Sequence, residues 1–163
     1  MAEARQFELR QPAVGDLGWV VARHGTVYHE SYGWDASFEA LVAGVVGRFA
    51  DSHDPGRERG WIAVVDGRPA GSIFCVAEGE GTARLRLLLV EPWARGLGIG
   101  NALVGECVEF ARGAGYRRMI LWTDEFLVAA RRLYAAAGFQ LVSSKSEVAF
   151  GVESVAEDWE LVF

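Results

Sequence analysis

The sequence has one lysine, two cysteines and three histidines, and each shortage removes a class of protein. Cys75 and Cys107 stand far apart with no CxxC pair, and His24, His29 and His53 complete no ligand pattern. Neither a zinc framework nor a disulfide scaffold is recognisable, so no metal is expected. No apolar run approaches the ~18 residues that a membrane span needs. Residues 1–10 carry Glu3, Arg5, Glu8 and Arg10, where a secretory signal needs an apolar stretch. A cytoplasmic protein with no membrane partner is the resulting expectation. Lys145 lies in no Gly-Lys-Ser/Thr sequence, which excludes a P-loop. Charged residues make up only 23% of the chain and hydrophobic ones 51%, so disorder does not describe it. The net charge of −6 argues against a nucleic-acid partner.

Glycine is what the sequence has in excess, with 20 in 163 residues where average usage is about 7%. The length fits one domain over residues 1–163 and buries roughly two-thirds of the unfolded surface without a staple. Charge is unevenly spread. Between Arg84 and Arg132, eight arginines face five acidic residues, a local balance of +3, while the remainder carries −9. A basic centre in an acidic protein suits an anionic small molecule.

Hydrophobic periodicity orders the elements. Residues 7–10 alternate as a strand. Residues 16–30 and 35–50 place apolar side chains at helical spacing, the second with Phe38, Leu41, Val42, Val45, Val46 and Phe49 on one stripe. Residues 61–65 and 71–76 are β-branched runs joined through Asp66-Gly67, a hairpin signal. Thr82–Val90 is a strand in which Arg84 and Arg86 alternate with Leu85 and Leu87. Helices over 98–114 and 126–137, stopped by Gly115 and Gly138, enclose a short strand over 117–122. Strands over 139–150 and 156–163 close the chain. The order βααβββαβαββ predicts an α/β (α+β) fold: a single mixed, mostly antiparallel sheet of about seven strands flanked by about four helices.

The chemistry concentrates in Val90-Glu91-Pro92-Trp93-Ala94-Arg95-Gly96-Leu97-Gly98-Ile99-Gly100-Asn101. Three alternate glycines stand where a strand hands over to a helix. Without Cβ atoms, the backbone N–H groups can approach a ligand, and the helix N-terminus adds free donors and partial positive charge suited to a pyrophosphate. Arg95 adds a formal charge. A GxGxxG dinucleotide fingerprint fails, because Asn101 or Leu103 stands where its last glycine belongs.

Arg95-Gly96-Leu97-Gly98-Ile99-Gly100 resembles the Arg/Gln-x-x-Gly-x-Gly/Ala pyrophosphate loop of the GNAT superfamily of acetyl-CoA-dependent N-acyltransferases. Ala130-Arg131-Arg132-Leu133-Tyr134-Ala135-Ala136-Ala137-Gly138-Phe139 resembles its second signature, Ala-x-x-Leu-Tyr-x-x-x-Gly-Phe. The likeness runs from about Phe7 to the end. Leu-Arg-Leu-Leu-Leu-Val-Glu-Pro before the loop and Leu-Trp-Thr-Asp after it look like the acetyltransferase half of MarR-type regulator fusions, for whose regulator 163 residues leave no room.

The resemblance implies an N-acetyltransferase that uses acetyl-CoA (coenzyme A) as cofactor and works by direct attack of an amine in a ternary complex. The strand ending at Val90 would splay from the strand ending at Trp122 to admit the pantetheine arm. Leu88, Leu89 and Val90 would bond its amides, and an N–H near Val90 would polarise the thioester carbonyl, worth a few kcal/mol by oxyanion-hole precedent. Arg95, Gly96, Leu97, Gly98, Ile99, Gly100 and Asn101 would hold the pyrophosphate, and Ala130 and Tyr134 would also contact cofactor. Tyr134 would protonate the departing thiolate. Leu127 departs from the family pattern, which commonly has Asn there; Asp124 lies three residues earlier.

A primary amine of pKa about 10 must lose a proton before it attacks. In the family the first two helices and their junction commonly wall the acceptor site. Glu30 is the expected base, with His29 and Asp124 behind it, and His29, Glu30, Tyr32, Trp34, Trp122 and Asp124 are the expected acceptor contacts. His24 falls on the apolar helix face and reads as a core histidine. The acceptor class spans small amines, amino acids and peptide N-termini, and the −9 remainder hints at a cationic one such as a polyamine or basic peptide. A homodimer is compatible with this reading. A non-catalytic acyl-CoA-binding sensor is the alternative, and a protein-interaction domain using the Tyr28–Trp34 aromatic patch is a third.

Overall fold

Seven strands and four helices of the computed structural model form around one sheet, and the model describes residues 6–163. The charged start read from Glu3 and Arg5 lies outside the described residues. The elements run β1 (Glu8–Arg10), α1 (Asp16–Tyr32), α2 (Ala36–Ser52), β2 (Arg59–Val65), β3 (Arg68–Ala77), β4 (Thr82–Val90), α3 (Ile99–Gly113), β5 (Arg118–Asp124), α4 (Val128–Ala136), β6 (Gln140–Ala149) and β7 (Val152–Val162). Their spatial order is β1-β2-β3-β4-β5-β7-β6, with every neighbouring pair antiparallel except β4 and β5.

Strand alternation divides the core in two. Ile62, Val64, Phe74 and Val76 turn toward α1 and α2, joining Val20, Phe38, Val42 and Phe49. Ala63, Ile73, Cys75, Leu85, Met119 and Leu121 turn the other way, against Ile99, Leu103 and Cys107 of α3 and Tyr134 of α4. Both cysteines are buried and free. No helix is long and apolar enough to cross a membrane among the described residues.

Turn chemistry accounts for the boundaries. Asp66 (φ 49°) and Gly67 (φ 75°) form the expected hairpin turn. A second turn, Phe150 (φ 54°) and Gly151 (φ 80°), starts β7 at Val152 and not near residue 156. Both central residues of such a turn need positive φ, and Phe150 does not advertise that conformation in sequence. Helix α4 starts at Val128 and not at residue 126, because the Asp124 carboxylate accepts the Phe126 N–H (3.0 Å) and holds a turn first.

One irregularity positions the site. Leu87 takes φ 56° inside β4, and its carbonyl accepts the Ser72 hydroxyl (2.8 Å). The β4–β5 pairing covers only Thr82↔Arg118, Ala83↔Met119 and Arg84↔Ile120. Beyond Arg84 the two parallel strands have no further register partners, and a gap opens between them. Arg23 of α1 clamps the far end of β4 by an ion pair to the buried Glu91 (2.5 Å). Across the gap, Arg131 of α4 grips the buried Glu157 of β7 (2.8 and 3.1 Å), which also accepts Trp159 Nε1–H.

Candidate active site

The glycine loop uses its three glycines in two ways. Gly96 (φ 83°) and Gly98 (φ 86°) are left-handed, and nothing lies within 4 Å of where their Cβ atoms would stand. Here glycine supplies the conformation and leaves the space in front of the backbone free. Gly100 differs: a Cβ there would meet Leu133 Cδ1 at 2.7 Å, so its missing side chain lets α4 approach α3. Gly98 caps α3 without a side-chain partner. The Ala102 N–H makes the first bond back to the Gly98 carbonyl, leaving the first-turn amides of Ile99, Gly100 and Asn101 without helix acceptors. Arg95 is exposed beside them.

Two cavities meet at the gap. The outer one, about 200 Å³, is lined by Leu88, Leu89, Val90, Arg95, Tyr32, Ala130 and Leu133 among others. The inner one, about 100 Å³, is lined by His24, Trp34, Leu41, Arg84, Arg86, Trp122, Thr123 and Tyr134 among others. Tyr28, Leu88, Leu127 and Ala130 border both. The Tyr28 hydroxyl donates to the Leu88 carbonyl (3.2 Å) at this boundary.

Electrostatics set the protonation states. Burial, with small contributions from Tyr28 and Cys107, pushes the Tyr134 phenol well above its ordinary range, so it carries its proton at neutral pH. Burial does the same to Tyr28. His24 is drawn down to about 4 by burial and is neutral. Its Nδ1 stands 2.8 Å from the Val20 carbonyl; a carbonyl only accepts, so Nδ1 carries the proton. Nε2 is then a bare acceptor, buried and unpartnered within the chain.

The expected residues divide. Leu88, Leu89, Val90, Arg95, Ala130 and Tyr32 come together at the outer cavity, and Trp34, Trp122 and Tyr134 at the inner one. Gly96, Leu97, Gly98, Ile99, Gly100 and Asn101 form the loop and helix start beside them. Leu127 borders both cavities with an apolar side chain. His29 and Glu30 are not brought to Tyr134. They border an exposed groove with Thr26 and Glu39, and His29 Nδ1 lies 2.9 Å from the Trp34 carbonyl. Asp124 is fully buried and lines neither cavity. The reason for Glu30 is helical phase: two residues on from Tyr28, it is rotated about 200° around α1.

Among the polar residues lining the inner cavity, sequence reasoning assigned no site role to His24, Tyr28, Arg84, Arg86 and Thr123. His24 is buried as expected but faces the inner cavity, and its i, i+4 stack on Tyr28 (5.8 Å, 4° between planes) was a usable signal. The alternation of Arg84 and Arg86 was another, since two arginines on one strand face need an explanation.

The residues fit an acetyl-CoA-type ligand by their own features. The open space before Gly96 and Gly98 and the free first-turn amides follow Arg95 in the chain, and Arg95 and the β4 edge line the outer cavity, which shares Tyr28, Leu88, Leu127 and Ala130 with the inner cavity that Tyr134 lines. A family model described as "Acetyltransferase (GNAT) family" matches residues 22–139. An uncharacterised N-acetyltransferase of Schizosaccharomyces pombe is 29% identical over 120 residues, 69% of this chain and 70% of its own. The N-acetylaspartate synthetase of Danio rerio is 33% identical over 88 residues, 53% of this chain but only 31% of that protein. A Salmonella typhimurium protein solved with its cofactor acetyl-CoA has a similar fold, with TM-score 0.77 at 16% identity, covering 96% of this chain and 94% of that one. With 118 of its 163 residues matched by the family model, and with a glycine loop, splayed strands and a buried tyrosine in its fold, the chain belongs to the GNAT acetyltransferase family.

Proposed function

We propose that this protein, as a single acyltransferase domain in the cytoplasm, moves an acetyl group from acetyl-CoA to a primary amine by direct attack in a ternary complex. The observation that carries the reading is Tyr134: a buried, protonated phenol lining the inner cavity, which borders the outer cavity that Arg95 lines. Acetyl-CoA, when bound, supplies the activated acetyl thioester. The amides of residues 96–101 and the Arg95 guanidinium hold its diphosphate, as free helix N-terminal donors do. The unpaired edge of β4 at Leu88 and Val90 orients the arm. Tyr134 delivers the proton that the departing thiolate needs, a contribution of ~10²–10⁴ in rate for a placed acid. His24 Nε2, a bare acceptor in the inner cavity, orients an N–H of the amine, a place that Glu30 does not occupy.

The alternative, an acyl-CoA sensor without turnover, draws on the apolar Leu127 where the family commonly has Asn. The likeness to the acetyltransferase half of regulator fusions rests on residues 85–92 and 121–124 and implies nothing further about the acceptor. Thiol release from acetyl-CoA across a panel of amines, with acetyl-CoA binding followed by calorimetry, separates the readings. Transfer predicts stoichiometric binding and amine-dependent release. Binding with no release from any amine would favour the sensor.

A further inference from the structure

The inner cavity gathers hydrogen-bond donors that have nothing to bond among the described residues. Trp34 Nε1 and Thr123 Oγ1 are buried without a partner there. Trp34 can only donate, and the threonine hydroxyl is free to. Arg84 and Arg86 point to the same side of β4, their strand partners Val76 and Phe74 both facing the α1/α2 core. Arg84 is held by Glu78 at 2.8 Å. Arg86, half-buried, makes no ion pair or hydrogen bond among the described residues. No carboxylate lines this cavity.

This arrangement is costly as it stands. A guanidinium stays charged at any physiological pH, and half-burying one whose nearby carboxylate is already bonded to another arginine is unfavourable. Burial, and then the neighbouring Arg84 charge, pull the Arg86 guanidinium below its ordinary range, and Glu78, bonded to Arg84, offsets them only in part. A polyamine or basic peptide would add positive charge to this wall and find no acid there. A carboxylate would relieve it: the fork of Arg86 matches two carboxylate oxygens, and Trp34 and Thr123 offer further donors. The buried apolar walls of Phe38 and Leu85 lower the local polarity and strengthen such a pairing.

We infer that Arg86, with Arg84, Trp34 and Thr123, forms a carboxylate subsite in the acceptor cavity, so that the acceptor is an amine that also carries a carboxylate. This rests on the acetyl-transfer reading and names its substrate class. It reverses the cationic acceptor that bulk charge suggests, because the −9 of the remainder lies elsewhere while the cavity wall is basic.

The test compares thiol release with glutamate, aspartate and glycine, their carboxamides, and spermidine, in the wild type, Arg86→Gln and Arg86→Lys. The expected result is a kcat/KM at least ~10-fold higher for one or more of the acids than for its amide, the size of a hydrogen bond to a charged group. Arg86→Gln should raise the KM for that acid at least ~10-fold while leaving the KM for acetyl-CoA and the rates with amides unchanged; Arg86→Lys, which keeps charge but loses the fork, should fall between. Equal or better turnover of spermidine or the amides, or an Arg86→Gln enzyme with an unchanged KM for the acid, would overturn the subsite. If acetyl-CoA binds but no amine releases thiol, the transfer reading fails and the subsite is judged by binding alone. Saturable quenching of tryptophan fluorescence by glutamate or aspartate, lost in Arg86→Gln, then supports it, and its absence overturns it.

Discussion

The two ends of the gap between β4 and β5 offer different means of recognising a ligand. At the outer end the donors on offer are backbone amides around Gly96, Gly98 and the first turn of α3, with open space in front of the two glycines. At the inner end the groups are side chains of α1, α2, β4, β5, α4 and Trp34, several without partners among the described residues. The outer end is built for a fixed ligand, since backbone donors can be set by glycines within one short segment. The inner end is assembled from α1, α2, β4, β5, α4 and Trp34, which can vary independently, and this suits the recognition of differing acceptors.

The largest expected effect tests the point where the two ends meet. Tyr134→Phe should lower thiol release by ~10²-fold or more while acetyl-CoA affinity measured by calorimetry changes little; a loss confined to affinity would place Tyr134 in binding alone. Next, Gly98→Val forces a β-branched residue to φ 86°, costs at least ~1–2 kcal/mol and crowds the loop. It should weaken acetyl-CoA binding ~10-fold or more, with the KM of the acceptor unchanged. An equal effect on both ligands would erase the distinction between the ends.

The pH dependence of stability probes the inner end. His24 titrates near 4 in the folded chain and near 6.5 when unfolded, so the unfolded chain binds the extra proton between those values. Stability contributed by neutral His24 is therefore full above about pH 6.5 and falls as pH drops toward 4, by up to ~3 kcal/mol. Urea midpoints at pH 7 and pH 4.5 should show this fall in the wild type, and a smaller one in His24→Gln. The smallest effect concerns the third loop glycine. Gly100→Ala should cost ~1 kcal/mol by crowding Leu133, seen as a lower melting temperature, with acetyl-CoA affinity within about twofold. A large affinity loss would assign Gly100 to the ligand and not to the α3–α4 contact.

The outer end was legible in sequence because its chemistry is local. Gly96, Gly98, Arg95 and the Ala130–Phe139 signature carry their meaning within a few residues, and strand alternation and the Asp66-Gly67 turn supplied most of the topology. The inner end was not, because its residues are far apart in sequence and meet only after folding. Glu30 and His29 are sound as chemistry but face another groove, rotated about 200° and about 100° around α1 from Tyr28. His24 was read by its apolar stripe, which correctly predicts burial and is silent about the cavity beside it. Arg86 could be placed only once β4 was known to part from β5 after Arg84, close to the positive φ of Leu87.

A structure with acetyl-CoA bound tests the account most directly. It should show the diphosphate on the amides of residues 96–101, the arm between β4 and β5, and the thioester sulfur within about 3.5 Å of the Tyr134 hydroxyl, the reach of a hydrogen bond to a soft acceptor. A sulfur turned away from Tyr134, or an arm that bypasses the gap between the strands, would contradict it.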